Sequence, residues 1–262
     1  MRNLELNGHV PDLAETHRLA TVNYGHFTSM QVRSLGVKGL ALHMARLADG
    51  NEEFFGWKMG VDDEARLVSL IHHALGGHRD ASVRVSFVPG PGDSSPPDVV
   101  IAVSDPRPSE PTRPLRVRTD SHRRDWPEQK HSATMGLFVA RRQAVRDGYD
   151  DALFVGDTGL VSEGSTWNVA FHDGEQVIWP QAPMLRGTTM VLLQIAMTMN
   201  GVPWTLRPVP QADLPAFTGA AAVNSTCPAQ PIAWIDNQAY PSSDRLTALL
   251  SDTWKSVPYD EL

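Results

Sequence analysis

Lys130 is the residue of this sequence best suited to act as a nucleophilic amine. Only four of the 23 basic residues are lysines: Lys38, Lys58, Lys130 and Lys255. Lys130 follows the break at Pro127 and comes at the entrance of a predicted helix over residues 132–147. There, the positive end of the helix dipole and any burial favour the uncharged amine, which suits Schiff-base chemistry. By itself, a single lysine is more often an ordinary surface residue.

Glu163 is a second candidate, because the sequence VSEGSTWNVAF places it next to Gly164 and just before a strand of buried character. A carboxylate at such a place is costly unless it is paired with a cation or hydrogen-bonded. A pyridinium nitrogen is one suitable partner, since a ring that is held protonated is a better electron sink.

The segment MLRGTTMVLL offers a place for a phosphate. Gly187, Thr188 and Thr189 fall on the first turn of a predicted helix over residues 188–200. Free backbone N–H groups, two hydroxyls and the positive end of the dipole all favour an anion there. Two threonines at a helix start are also an ordinary helix cap.

The elements that must position these residues divide into two lobes. Residues 23–32 and the segments ASVRVSFVP and DVVIAVS read as strands, and DDEARLVSLIHHALGG reads as an amphipathic helix, which together predict a small α+β domain. The segments DALFV, STWNVAF and EQVIWP read as strands, and SSDRLTALLSDTWKS reads as a last helix. Proline-rich runs between residues 89 and 114 interrupt regular structure. We place the chain's crossing near residues 115–124, giving domains 1–118 and 119–262.

Composition excludes several classes of protein. The formal net charge of −7 gives no support to a nucleic-acid binder, and the single cysteine, Cys227, excludes a disulfide framework or a multi-cysteine zinc site. No metal site is expected. The sequence shows no run of 18 apolar residues and no signal peptide at its start. A soluble cytoplasmic protein without membrane or nucleic-acid partners is therefore expected.

Residues 130–190 resemble the class IV pyridoxal-phosphate enzymes, which include branched-chain and D-amino-acid aminotransferases and 4-amino-4-deoxychorismate lyase. Three segments match in order: KHSATMGLFVARRQAVRDGYDDALFVGDTG, SEGSTWN and LRGTT. LALHMARL is similar to the family's H-x-x-R-L segment, and AAVNSTCPAQPIAWID extends the resemblance toward the end. The resemblance implies a two-lobed fold-type IV enzyme that is a homodimer. Its small N-terminal domain would be α+β and its larger C-terminal domain, which binds pyridoxal 5′-phosphate, mixed α/β.

The resemblance also implies roles for individual residues. Lys130 would hold the cofactor as a Schiff base and then move a proton between the substrate Cα and C4′. Glu163 would pair with the pyridine nitrogen. The phosphate would be bound by four residues: Arg46, Thr188, Thr189 and Ser225.

The sequence departs from the family pattern at two places. Met135 stands where branched-chain aminotransferases have a tyrosine that contacts the cofactor ring oxygen, and Arg186 replaces the usual acidic residue of the L-E-G segment. No counterpart of the carboxylate-binding arginine of D-amino-acid aminotransferases is identified. The identity of the substrate therefore stays open.

Substrate-side candidates come from NYGHFTSMQV, because in the family this strand lines the pocket that faces the cofactor. Tyr24, His26, Thr28 and Ser29 make it unusually polar, and alternation predicts that Tyr24, His26 and Thr28 share one face. An edge strand with one solvated side explains the pattern equally well.

The leading hypothesis is a pyridoxal-phosphate aminotransferase that moves an amino group between an amino acid or amine and a 2-oxo acid. One alternative is a lyase of the 4-amino-4-deoxychorismate type, which releases pyruvate without an acceptor. The other is a cofactor-free binding module on the same fold, which the departures at Met135 and Arg186 motivate.

Overall fold

The computed structural model describes residues 1–92 and 95–262, which form two compact units. Unit 1 consists of residues 1–107, 129–133 and 258–262, and unit 2 consists of residues 108–128 and 134–257. The chain thus enters unit 1 three times, whereas the sequence predicts one boundary between residues 118 and 119. The proline-rich run PGPGDSSPPD includes residues 93 and 94, which lie outside the described residues.

The helices, in chain order, are α1 (Leu13–Thr21), α2 (Leu40–Phe55), α3 (Val61–Leu75), α4 (Met135–Arg146), α5 (Thr188–Met199) and α6 (Ser243–Ser256). The strands are β1 (Asn3–Leu6), β2 (His26–Val32), β3 (Gly36–Val37), β4 (Ala81–Val88), β5 (Asp98–Ser104), β6 (Leu115–Asp120), β7 (Asp151–Val155), β8 (Val161–Gly164), β9 (Asn168–His172), β10 (Val177–Pro180), β11 (Trp204–Arg207), β12 (Gly219–Val223), β13 (Gln230–Ile235), β14 (Gln238–Ala239) and β15 (Asp260–Glu261).

Unit 1 is built on an antiparallel sheet with the strand order β1-β5-β4-β2. Side chains alternate between its two faces, so residues such as Met30, Val85 and Ile101 form one apolar face. This face packs with Leu47 of α2 and Ile71 of α3 in a single buried core. The small strands β3 and β15 pair with each other.

Unit 2 contains a larger mixed sheet with the strand order β11-β10-β9-β12-β13-β6-β7-β8. An additional pairing of β8 with β9, at Glu163 and Asn168, closes six of these strands into a ring. Helices α5 and α6 share a core with strands β9, β10 and β12. Helix α4 packs against β7 through residues such as Ala144 and Phe154.

Several predicted elements are confirmed. They include the strands at β4, β5 and β7 and the helices α3, α5 and α6. One expectation is wrong: the helix predicted over 132–147 begins only at Met135, with Lys130 five positions before it. Residues 115–120, where the sequence places the crossing between domains, form β6. No helix in the described ranges is both long and apolar enough to cross a membrane.

Candidate active site

Lys130 lies in a short irregular segment that pairs with the start of β2. Its carbonyl oxygen accepts a hydrogen bond from the N–H of Phe27 at 2.9 Å, and the N–H of Ser132 donates to the carbonyl of Gly25 at 2.8 Å. These bonds make an antiparallel bridge between His26 and His131. The backbone of unit 1 therefore holds Lys130.

The side chain of Lys130 lies over the ring of Phe27, with Nζ 4.9 Å from the ring centroid. The guanidinium carbon of Arg84 lies 3.4 Å from the same centroid. Arg84 belongs to β4, where it stands opposite Ser29 of β2, and residues opposite each other in an antiparallel pair share a face. Phe27, Ser29 and Arg84 thus lie on the sheet face that carries the Lys130 amine.

The predicted substrate residues do not lie on that face. The side chains of His26 and Thr28 are buried on the opposite side of β2, because alternation turns them away from Phe27. Tyr24 precedes the strand, and its hydroxyl donates to the carbonyl of Phe54 at 2.6 Å. The expectation that Tyr24, His26 and Thr28 line the substrate pocket therefore conflicts with their position in unit 1.

Thr28 instead contacts His43 in the first turn of α2. The same helix carries Arg46 in its next turn. The Thr28 hydroxyl lies 2.6 Å from Nδ1 of His43, and both side chains are buried. Burial, together with the positive charges of Arg46 and Lys130, lowers the pKa of His43 to about 3. His43 is therefore neutral at physiological pH, near Arg46 and Lys130, to which the family resemblance gives roles in cofactor binding.

In unit 2, Glu163 is a buried carboxylate on β8. Its Oε1 accepts a hydrogen bond from the N–H of Leu185 at 3.3 Å. Burial lowers the pKa of Arg124, and the negative charge of Glu163 opposes that shift. The pair thus provides charge compensation, which a buried carboxylate requires.

The side chain of Asn168 fixes the chain that leads into α5. Its Nδ2 donates to the carbonyl of Leu185 at 2.8 Å, and its Oδ1 accepts from the N–H of Gly187 at 3.0 Å. A Cβ at Gly187 would lie 2.3 Å from Oδ1, so this position needs a glycine. Glu163 and Asn168 together hold residues 185–187 immediately before the helix.

Helix α5 begins at Thr188, and both Thr188 and Thr189 are buried. In the described part of the chain, the Thr188 hydroxyl has no hydrogen-bond partner, and neither does the buried hydroxyl of Ser165. Ser225 lies in the turn after β12, which is closed by hydrogen bonds from the N–H groups of residues 226 and 227 to the Asn224 side chain.

These residues fit a phosphorylated pyridine cofactor. Buried hydroxyls normally have hydrogen-bond partners, so the Thr188 hydroxyl at a helix N-terminus is suited to a bound anion. Glu163 offers a carboxylate to a ring nitrogen, and Lys130 offers an amine for a carbonyl carbon. Unit 2 therefore offers a carboxylate and a helix start suited to an anion, and unit 1 offers an amine.

The sequence reasoning missed four residues that shape these surroundings: Phe27, Arg84, Arg124 and Asn168. Arg84 could have been found, because it is the one charged side chain among the outward-facing positions of the alternating strand ASVRVSFVP. Asn168 starts a buried strand, where a polar side chain needs a partner. Arg124 lies in a polar segment without periodicity and gives no signal.

The structure has the fold of known fold-type IV aminotransferases. It matches the branched-chain amino acid aminotransferase of Escherichia coli with a TM-score of 0.82 and 15% identity, covering 98% of this chain and 94% of that chain. A fold IV transaminase from Curtobacterium pusillum matches with a TM-score of 0.76 and 25% identity, covering 88% and 86%. A protein from Legionella pneumophila named as a candidate 4-amino-4-deoxychorismate lyase matches with a TM-score of 0.74 and 18% identity, covering 90% and 93%. The fold class predicted from the sequence is confirmed.

The amino-transferase class IV family model matches residues 25–235. This range is most of the chain and includes Arg46, Lys130, Glu163 and Thr188. The chain belongs to the class IV aminotransferase family, as its resemblance predicts. Among curated protein sequences, none matches it.

Proposed function

We propose that the chain is a pyridoxal-phosphate-dependent aminotransferase that moves an amino group between an amino acid or amine and a 2-oxo acid. One observation carries the proposal: Glu163 and the start of α5 flank the same short segment, since Glu163 binds the N–H of Leu185 and the helix begins at Thr188. Three residues of chain span at most about 11 Å. One cofactor can therefore reach both a carboxylate and an anion-binding helix start.

In this proposal, each residue has a separate task. Bound pyridoxal phosphate supplies an electron sink for the electrons released at the substrate Cα. Lys130 would hold the cofactor through its amine, as a Schiff base, and would accept and return the proton of the substrate Cα. Glu163 holds a proton at the ring nitrogen. The phosphate is bound by four residues: Arg46, Thr188, Thr189 and Ser225.

We further propose that the substrate contacts the face of unit 1 formed by Phe27, Ser29 and Arg84, in place of Tyr24, His26 and Thr28. The Lys130 amine lies over Phe27, so a reacting Cα must approach this face. The guanidinium of Arg84 is suited to a carboxylate. Arg84 would therefore bind the carboxylate of the 2-oxo acid, and that of the amino donor where the donor is an amino acid.

A homodimer is proposed from the surface of α4. Met135, Phe138, Val139 and Val145 are large apolar side chains that are all exposed, and their spacing places them along one side of the helix. A second copy of the chain would bury this surface. Phe138→Asp should shift the mass measured by light scattering toward one chain, whereas Ile195→Asp, at an equally exposed residue of α5, should not. A dimer that persists in Phe138→Asp would remove α4 from the interface.

An amino-transfer assay tests the proposed reaction. The protein with added pyridoxal phosphate is incubated with amino acids and a 2-oxo acid, and formation of a new amino acid is measured by chromatography. Lys130→Ala should abolish it, whereas Lys255→Ala, which removes an exposed lysine of α6, should not. Normal activity of Lys130→Ala would refute the mechanism. No activity in the wild type, without cofactor binding, would favour the binding-module alternative.

A lyase remains the second candidate because of Met135. At this position branched-chain aminotransferases would have a cofactor-contacting tyrosine, and here the methionine is 80% exposed at the first position of α4. The same incubation separates the two reactions. Pyruvate released from 4-amino-4-deoxychorismate without an acceptor indicates the lyase, and stoichiometric consumption of a 2-oxo acid indicates the aminotransferase.

A further inference from the structure

His26 is a buried residue at the start of β2, and it stands opposite His131 in the bridge to the segment that carries Lys130. Its ring stacks on Phe87, with centroids 5.4 Å apart and planes 13° apart, and on Phe54 at 5.9 Å. Its Nε2 lies 3.0 Å from Oδ1 of Asn51 on α2. These two stacked contacts, a tilted contact with Phe55 and one hydrogen bond therefore fix the orientation of the ring.

Gly50 makes room for this histidine. A Cβ at Gly50 would lie 2.4 Å from Nδ1 of His26, so α2 can approach β2 this closely only with a glycine at that position. The ring consequently contacts the backbone of α2 directly. Any side chain at position 50 would push the ring, and the strand that carries it, away from the helix.

The same residue forms the backbone bridge to the Lys130 segment. His26 pairs with His131, and the two hydrogen bonds that flank this bridge join Phe27 to Lys130 and Gly25 to Ser132. The side chain of His26 thus connects β2 to α2, while the backbone of its two neighbours, Gly25 and Phe27, bonds to Ser132 and Lys130.

From this arrangement we infer that His26 is a positioning residue for the Lys130 amine, acting through the backbone bridge and not through contact with a substrate. The inference rests on the proposed role of Lys130 in cofactor binding. It gives His26 a role different from the substrate contact that the sequence suggests. Gly50 and Asn51 contribute to this positioning, because they determine where the His26 ring lies.

The placement of the amine matters because of its surroundings. Lys130 Nζ lies over Phe27, and the cationic guanidinium of Arg84 contacts the same ring. An amine displaced from this ring would lose the contact with Phe27, and a displacement of about 1 Å can reduce a reaction rate about 100-fold.

The test uses the full-length protein without added cofactor and an amine-acylating reagent at neutral pH. Mass spectrometry follows the acylation rates of Lys130 and of Lys58, which is exposed and serves as an internal reference. In His26→Leu and in Gly50→Ala, the rate at Lys130 relative to Lys58 should fall about tenfold. The control variant Val83→Ala removes a buried side chain from the same sheet and should leave the ratio unchanged despite its lower thermal stability.

Rescue adds a second criterion. His26→Gln keeps an amide that can hydrogen-bond to Asn51, so it should restore more of the Lys130 rate than His26→Leu at equal thermal stability. Unchanged ratios in both His26→Leu and Gly50→Ala would overturn the inference, as would an equal loss in Val83→Ala.

Cofactor loading separates this inference from the proposed function. The pH titration of the visible Schiff-base absorption should shift in Gly50→Ala relative to the wild type and Val83→Ala. A wild type that forms no Schiff base at Lys130 would refute the proposed function, while the acylation ratios would still decide the role of His26. A wild-type Schiff base with unchanged acylation ratios would refute the role of His26 alone.

Discussion

The segment around Lys130 and the start of α5 are held by different means. Lys130 is anchored by backbone hydrogen bonds to β2, a strand about one hundred residues earlier in the sequence. The start of α5 is anchored by the side chains of Asn168 and Glu163, both within about 25 residues of it. The first two residues of α5 are themselves buried. The amine thus depends on long-range pairing, whereas the anion site depends on local side-chain contacts.

The largest effect should come from removing the negative charge of Glu163, which bonds to the segment before α5, while the backbone hydrogen bonds of Lys130 stay intact. Glu163→Gln should retain the Schiff base but slow proton abstraction about 100-fold, because the ring nitrogen loses its anionic partner. Single-turnover absorbance measurements would show this. Glu175→Gln, at an exposed turn residue of unit 2, is the control. Wild-type kinetics in Glu163→Gln would remove this carboxylate from the site.

A smaller effect should follow from disturbing the hydrogen bonds of Asn168 to residues 185 and 187, which we call the Asn168 clamp. In Gly187→Ala, the new Cβ would lie 2.3 Å from Oδ1 of Asn168, so the start of α5 must shift, and cofactor affinity should fall about tenfold. Fluorescence titration with pyridoxal phosphate measures it. Gly156→Ala, with nothing within 4 Å of its Cβ, should bind normally. Equal affinities in the two variants would show that the clamp does not shape the anion site.

The smallest expected effect is a pH dependence of the free energy of unfolding, caused by His26, whose strand bonds to the Lys130 segment. Burial, opposed by the Asn51 hydrogen bond, lowers the pKa of His26 to about 4 from its ordinary 6.5. The unfolded chain therefore binds a proton more readily, so stability present above pH 6.5 is lost as the pH falls toward 4. Between about pH 7 and 5.5, His26 should cost about 1 kcal/mol of the free energy of unfolding.

Urea unfolding at these two pH values measures that contribution. His26→Phe should lose about 1 kcal/mol less than the wild type on acidification. His78→Phe, at an exposed residue, should behave as the wild type. An acid-induced loss in His26→Phe equal to that of the wild type would show that His26 does not titrate as its burial implies.

The same contrast explains what the sequence could predict. Helix α5 is almost continuously apolar and ends at Met199, two residues before Gly201, so its start and the threonines there follow from local pattern. The late start of α4 could not be predicted, because residues 130–132 pair with the start of β2, and no local signal encodes that pairing. Strand β6 was missed since it is polar, with Arg118 forming ion pairs with Asp120 and Asp147.

The burial of His26 was also beyond the sequence. Its site is made by Gly50, Phe54 and Phe87, which come from α2 and β4 and meet only in the fold. A histidine in a polar strand looks like a pocket residue when only its own segment is considered. The family resemblance supplied candidate roles for Lys130 and Glu163, but it could not assign the faces of β2.

Peptide mapping after borohydride reduction tests the central claim most directly. The purified protein is loaded with pyridoxal phosphate, reduced and digested, and the modified lysine is identified by mass spectrometry. The account predicts a single phosphopyridoxyl adduct at Lys130 and none in Lys130→Ala. An adduct at Lys38, Lys58 or Lys255 instead, or no adduct at all, would contradict it.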